Sequence, residues 1–375
     1  MILAEHVGNP WRAGEGGSPP GCRLVAVGSA LPERRLTNSE VETFIDTSDE
    51  WIQSRTGIRE RRIAEPEVTL VGIAARAARA ALTAGGWTAA DVDTIICSSS
   101  SPDETFPSLA CRLQAELGCP HGAAFDIQAA CSGAIYGLAL AQSLIQTGLS
   151  HRVLVVAAEL FSRLVDWSDR STAVLFGDGA GALLIGGPEE PGSEILAIDL
   201  GADGAGAASL GTSPAPITAL PEAIPAYART ERSLNRVVFM NGREVFRFST
   251  RILEQLIVRL GEAAGLAPEE ITLVVPHQAN SRILATAAGR VGMPMERFAI
   301  NVDRLGNTSS ASVPLALAEA AASGRLAPGA GVCLVAFGAG LTWGGAFLRW
   351  GDTAVLVDDP SGDEVSDRGR QEAVE

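Results

Sequence analysis

One order of apolar and glycine-marked segments occurs twice along this 375-residue chain. In the first half, residues 94–98 read as a short apolar strand and 107–117 as a helix. A strand at 123–128 and a long, nearly uncharged helix at 132–147 follow, with further strands at 152–158 and 173–185. In the second half, a helix at 246–260 precedes a strand at 271–275 and a helix at 280–291. A strand at 298–302, a helix at 312–322 and a strand at 332–337 complete it. Gly148 and Gly324 close the corresponding helices, and nearly the same interval separates Ile96 from Cys131 as Val274 from Asn307. With a first strand at 23–28 and an amphipathic helix at 69–83, the alternation predicts an α/β fold with buried sheets. A duplicated unit with a site between its halves is the economical arrangement.

The halves are expected at 22–190 and 191–350. Residues 1–21, rich in Gly and Pro, read as a flexible leader, and 212–232, rich in Ala and Pro, as an exposed insertion or loop. Residues 351–375 hold eight acidic and two basic side chains and are expected to be a disordered tail. The tail carries much of a net charge of −15, which argues against nucleic acid as a partner. All 29 basic residues are arginine, so no step can use a lysine Schiff base or a Walker lysine. Six cysteines and four histidines lie scattered, without zinc-ligand spacing, as expected of reduced thiols in the cytoplasm. No apolar run is long enough for a membrane span, and the N-terminal residues lack an export pattern.

Candidate residues gather at strand ends, where α/β proteins place their chemistry. Cys131 follows a strand and precedes a helix, whose N-terminal dipole favours thiolate, and its neighbours Ala129, Ala130, Ser132 and Gly133 are small. His277 and Asn280 follow the strand at 271–275. Asn307 is expected at the place in the second unit that Cys131 holds in the first. The glycine-rich 338–343 could present a backbone N–H to an oxyanion, whereas 177–181 reads as a tight turn between packed strands.

The Cys131 segment (Gln128 to Gly133), Pro276–His277–Gln278–Ala279–Asn280 and Gly306–Asn307–Thr308–Ser309 resemble β-ketoacyl-ACP synthase III, a condensing enzyme of the thiolase fold. Further matches are the stretches at 47–52, 55–59, 106–108, 176–181 and 240–242, so the resemblance covers nearly the whole of 23–350. It implies a duplicated, five-layer αβαβα architecture and a cytoplasmic homodimer without a cofactor. Its substrates would be an acyl-CoA and a malonyl group on acyl carrier protein. Cys131 would carry the acyl group, His277 and Asn307 would stabilise an enolate, and the N–H groups of Cys131 and Ala339 would form the oxyanion hole. Trp51, Arg55, Arg170 and Asn280 would contact CoA or its pantetheine arm, and Phe106 and Phe337 the acyl pocket. Arg247, Arg251, Arg282 and Arg290 would dock the acidic carrier protein, with Gly289 where relatives carry a further cation.

The same resemblance leaves room for a relative in secondary metabolism that loads starter units, forms acetoacetyl-CoA or transfers acyl groups to hydroxyls or amines. A thioester hydrolase and a non-catalytic acyl-CoA binder are more distant readings.

Overall fold

Both halves build the same sheet, and in the same register. The computed structural model describes residues 11–12, 21–214 and 236–360. Its strands are β1 (Trp11–Arg12), β2 (Arg23–Ala30), β3 (Arg35–Thr37), β4 (Glu60–Arg62), β5 (Thr94–Ser98), β6 (Ala123–Ile127), β7 (Arg152–Leu160) and β8 (Asp178–Gly186). They continue with β9 (Ser193–Ala202), β10 (Leu210–Pro214), β11 (Arg236–Met240), β12 (Leu273–Pro276), β13 (Gly331–Gly338), β14 (Thr342–Arg349) and β15 (Ala354–Asp358). The helices are α1 (Asn38–Val41), α2 (Asp49–Thr56), α3 (Leu70–Gly85), α4 (Leu109–Leu117) and α5 (Gly133–Gln146). In the second half they are α7 (Gly242–Ala264), α8 (Ser281–Val291), α9 (Val302–Leu305) and α10 (Ser312–Ala322), after the short α6 (Arg170–Ala173).

One hydrogen-bonded path runs β12-β13-β14-β9-β2-β8-β7-β5-β6. The halves meet in it where Arg23 pairs with Glu194 and Leu24 with Ser193. Thr94 pairs with Val153 in the first sheet as Leu273 pairs with Val332 in the second. One constant offset in residue number carries Thr94 to Leu273, Gly133 to Ser312 and Arg152 to Gly331.

Five layers result. Helices α3 and α4 cover the first sheet, α7 and α8 cover the second, and α5 and α10 lie between the two. The layer explains the composition. Helix α5 has no charged residue because it packs on β7 and β5 on one side and on β13 and β14 on the other. Helix α7 covers one sheet only, so Phe248, Ile252, Leu256 and Leu260 turn inward while Arg243, Arg247 and Arg251 stay outside and Arg259 reaches in to the buried Asp199 of β9 at 2.8 Å. Gly148 and Gly324 take the left-handed φ (74° and 76°) that ends the inner helices. No helix among the described residues is long and apolar enough to cross a membrane.

The structure corrects several expectations. The strand expected at 173–185 begins only at Asp178, because Asp169 caps the short helix α6 and Gly177 N–H turns to Asn307 O. Beyond that turn, Asp178–Gly181 belong to β8, and Gly181 is needed because a Cβ there would fall 2.3 Å from Pro314 Cβ. The strand expected at 298–302 reduces to a bridge from Phe298 to Val274. Buried Gln278 takes the N–H groups of Asn301 and Val302 on its Oε1, which diverts them from a ladder. In the insertion expected at 212–232, Thr212–Pro214 belong to β10, which pairs with β11, and 215–232 lie outside the described residues.

Both termini supply strands. Trp11–Arg12 pairs with β9 at Ile198 and Ala197, which corrects part of the flexible leader. In the tail, β15 runs parallel to β2 from Ala26 to Ala30, filling the edge that β9 leaves beyond Leu24. Its acidity is used here. Asp358 accepts from Arg76 Nε at 2.7 Å and Asp359 from Arg62 Nη2 at 2.9 Å. An open sheet edge exposes a row of backbone donors and acceptors, so even a weakly apolar strand gains by covering it. Residues 1–10, 13–20 and 361–375 lie outside the described residues.

A chain ending at Gly351 loses this strand and the carboxylates facing Arg62 and Arg76. We expect a cost of ~2–4 kcal/mol, read as a Tm several degrees lower. An unchanged Tm would show that β15 adds no stability.

Candidate active site

A cavity of about 740 Å³ lies between the halves, lined by Cys131, His277, Asn307, Phe337 and Ala339, with Trp51, Arg55 and Asn280 among its other walls. Cys131, His277 and Asn307 are buried, whereas Arg55 is exposed and Trp51 and Asn280 are partly so, which sets the mouth on their side.

Each inner side chain is fixed by its element. Cys131 sits in a single tight turn, Ala130–Ser132, between β6 and α5. Gly338 at the end of β13 packs on that turn so closely that a Cβ would lie 2.6 Å from Cys131 N. His277 leaves β12 with its N–H on Val335 O (2.8 Å) and its ring edge-on to Phe337, centroids 5.2 Å apart. Its Nδ1 lies 2.6 Å from Ser312 Oγ. Asn307 is pinned by its N–H on Leu175 O, and its Oδ1 accepts Ser309 N–H at 2.9 Å. The amide end left for the cavity is therefore the NH₂ donor.

The expected equivalence of Cys131 and Asn307 is wrong by three residues. The constant offset that relates the sheets carries Ala130, Cys131 and Ser132 to Ser309, Ser310 and Ala311, which form the same turn before α10. Ala130 (φ 47°) and Ser309 (φ 48°) share a left-handed backbone that non-glycine residues rarely adopt. Asn307 corresponds to Gln128, and His277 to Ser98. An insertion-free sequence comparison hides this, because the residues that match in place do not match in type.

The electrostatics also differ from expectation. Burial pushes the Cys131 thiol up to about 12; the Ser309 hydroxyl, 3.4 Å from Sγ, works the other way, and Glu159 adds to the rise. Helix α5 begins only at Gly133, so Cys131 lies in the turn before it rather than in its first turn. Burial thus favours the neutral thiol at Cys131. Burial lowers His277 to about 3, so its imidazole is neutral.

Around the mouth, the Arg170 guanidinium lies 4.7 Å over the Trp51 ring and donates to Asp46 O, without itself lining the cavity. Asn280 caps α8 and donates to Arg55 O at 3.1 Å. Phe106 lies outside the cavity of this single chain, 83% exposed. Arg247, Arg251, Arg282 and Arg290 are exposed on the packed pair α7 and α8. Arg282 stands 5.9 Å over Phe246, a wall of the cavity, while Arg290 pairs with Glu254.

Glu159 was not among the sequence candidates. It sits at the end of β7, fully buried, where the second half has Gly338. Its carboxylate accepts from Ser100 N–H (3.0 and 3.1 Å), Ser101 Oγ (2.8 Å) and Ser310 Oγ (2.6 Å). The signal was available: one acid in an otherwise apolar strand, with serines in the turn after β5 and beside Asn307.

The neutral imidazole sets a pH dependence. The unfolded chain binds the His277 proton below 6.5, the native chain only below about 3. The native state thus loses stability as pH falls from 6.5 toward 3. His277→Gln should remove that component, so its stability should fall less steeply over this window in denaturant titrations. Equal slopes would mean that the imidazole is not held neutral.

Comparison with known proteins adds a family. The model for 3-oxoacyl-[acyl-carrier-protein (ACP)] synthase III matches residues 125–214, and that for its C-terminal part matches 262–350. The β-ketoacyl-[acyl-carrier-protein] synthase III of Symbiobacterium thermophilum is 48% identical over 328 residues, which are 88% of this chain and 98% of the relative. The crystal structure of 3-oxoacyl-[acyl-carrier-protein] synthase III from Aquifex aeolicus has a TM-score of 0.79 at 42% identity, covering 88% of this chain and all of that one. The priming β-ketosynthase of the R1128 polyketide pathway gives 0.77 at 35% identity, covering 92% of this chain and all of its own.

Proposed function

This chain belongs to the β-ketoacyl-acyl-carrier-protein synthase III family, and we propose that it condenses an acyl-CoA starter with malonyl-ACP. The products are a 3-oxoacyl-ACP and CO₂. The observation that carries this reading is a buried thiol sharing one cavity with two neutral, fixed hydrogen-bonding side chains.

Cys131 Sγ attacks the starter's thioester carbonyl, and the carbon–sulfur bond to CoA breaks. The thiol proton leaves with the departing CoA thiolate, and the N–H groups of Cys131 and Ala339 hold the oxyanion. The malonyl group then loses CO₂, and the electron pair of the broken carbon–carbon bond becomes an enolate. His277 Nε2–H and the Asn307 amide donate to the enolate oxygen while its α-carbon attacks the acyl carbonyl. Sγ is expelled. A papain-like hydrolase would pair its cysteine with histidine, whereas the partner of Cys131 Sγ here is Ser309.

CoA enters past Trp51 and Arg170, with Arg55 toward its phosphates and Asn280 toward the pantetheine arm. Phe337 walls the acyl pocket. The exposed Phe106 fits a second copy of the chain that covers it and closes that pocket. With no lysine available, the arginines of α7 and α8 meet the acidic carrier protein, Arg282 nearest the mouth. The match to a priming ketosynthase, which extends over more of this chain than the Aquifex match does, supports a second reading in which the starter begins a polyketide.

Cys131→Ala should abolish the acyl adduct that mass spectrometry detects after incubation with acyl-CoA; persistence of the adduct overturns the assignment. His277→Ala and Asn307→Ala should still load the acyl group but lose condensation by about 10²-fold or more. Arg282→Glu should raise KM for malonyl-ACP and leave acyl-CoA loading unchanged; unaltered carrier-protein kinetics would remove Arg282 from the docking face. A panel of acyl-CoAs with malonyl-ACP or malonyl-CoA identifies starter and extender together.

A further inference from the structure

We propose that Ser312 is a positioning residue that holds the ring proton of His277 on Nε2. The inference rests on the reading of His277 as an enolate donor. Ser312 is the first residue of α10, and both it and His277 are buried. Its Oγ lies 2.6 Å from His277 Nδ1 and 2.8 Å from Ser309 O.

A hydroxyl carries one proton and can donate to only one of these acceptors. If the proton goes to Ser309 O, Nδ1 must hold the ring hydrogen, and Nε2 meets the cavity as a bare lone pair. Such a pair would repel an enolate oxygen. If the proton goes to Nδ1, Nε2 carries the hydrogen and joins the Asn307 NH₂ as a second donor. Ser309 O does not depend on the hydroxyl, because it also accepts the Ser312 backbone N–H. The hydroxyl is therefore free to serve the imidazole.

The duplication offers an internal comparison. The counterparts of His277 and Ser312 in the first unit are Ser98 and Gly133. There a Cβ on residue 133 would fall 1.7 Å from Ser98 Oγ, so that unit has no room for a serine at this place. The hydroxyl-to-ring contact exists only in the unit that carries the imidazole. Its position is set by the helix start, so Ser312 adds a proton donor without any loop of its own.

The test combines a spectroscopic and a kinetic arm. The ¹⁵N signals of histidine-labelled protein, with His277 assigned by their loss in His277→Gln, should show Nε2 protonated and Nδ1 bare. Ser312→Ala should shift that signature toward Nδ1–H and cut condensation ~10–100-fold, while acyl loading of Cys131 stays unchanged and certifies the fold. Ser312→Thr keeps a hydroxyl and should restore both. An Nδ1–H tautomer in the wild type, or full condensation by Ser312→Ala, overturns the proposal. If His277→Gln also condensed normally, the donor reading itself would fail; its failure to condense beside a fully active Ser312→Ala would sink Ser312 alone.

Discussion

A single buried carboxylate ties the two halves together where the chemistry lies. Glu159 ends β7 of the first half and takes the Ser310 hydroxyl from the turn before α10 of the second. Burial alone drives such a group toward its neutral form, and the surrounding serine donors oppose that drive. Charge-assisted hydrogen bonds contribute about 1.5–3 kcal/mol each, so several converging on one carboxylate offset much of its desolvation. The turn they anchor carries Asn307 two residues before Ser309, and Ser309 reaches Cys131. Loosening Glu159 would loosen all three.

The paired turns differ in what packs against them. The first turn is approached by Gly338, whose missing side chain lets β13 pack directly against Cys131, where a Cβ would lie 2.6 Å from Cys131 N. The second is approached by Glu159, whose carboxylate fills the corresponding space. One fold thus yields an open site and a plugged one. The plug braces the opening opposite it, because both turns sit at the start of inner helices packed in the same layer. The left-handed Ala130 and Ser309 cost roughly 1–2 kcal/mol each, a strain that the packing and hydrogen bonds around the two turns offset.

Much of the fold was legible because both periodic signals are strong. The buried strand at 94–98 and the inner helix at 312–322 have the bounds their apolar runs indicate. The strand at 298–302 failed because a side chain, Gln278, took the backbone donors that a strand would use. The described part of the tail, residues 351–360, departs from expectation for the opposite reason. Its acidic composition looked unable to fold, but the open edge of β2 and the guanidinium groups of Arg62 and Arg76 supply what composition lacks.

The sequence by itself determined the duplicated α/β architecture and the candidate residues Cys131, His277 and Asn307 that line the cavity, because burial periodicity and motif order are local properties of the chain. Only the tertiary structure decided which residues are counterparts, the neutral state of Cys131 and His277, and the role of Glu159. Those depend on what is brought close from far away in sequence. Burial sets protonation, and a carboxylate becomes a brace only when serines from another half surround it.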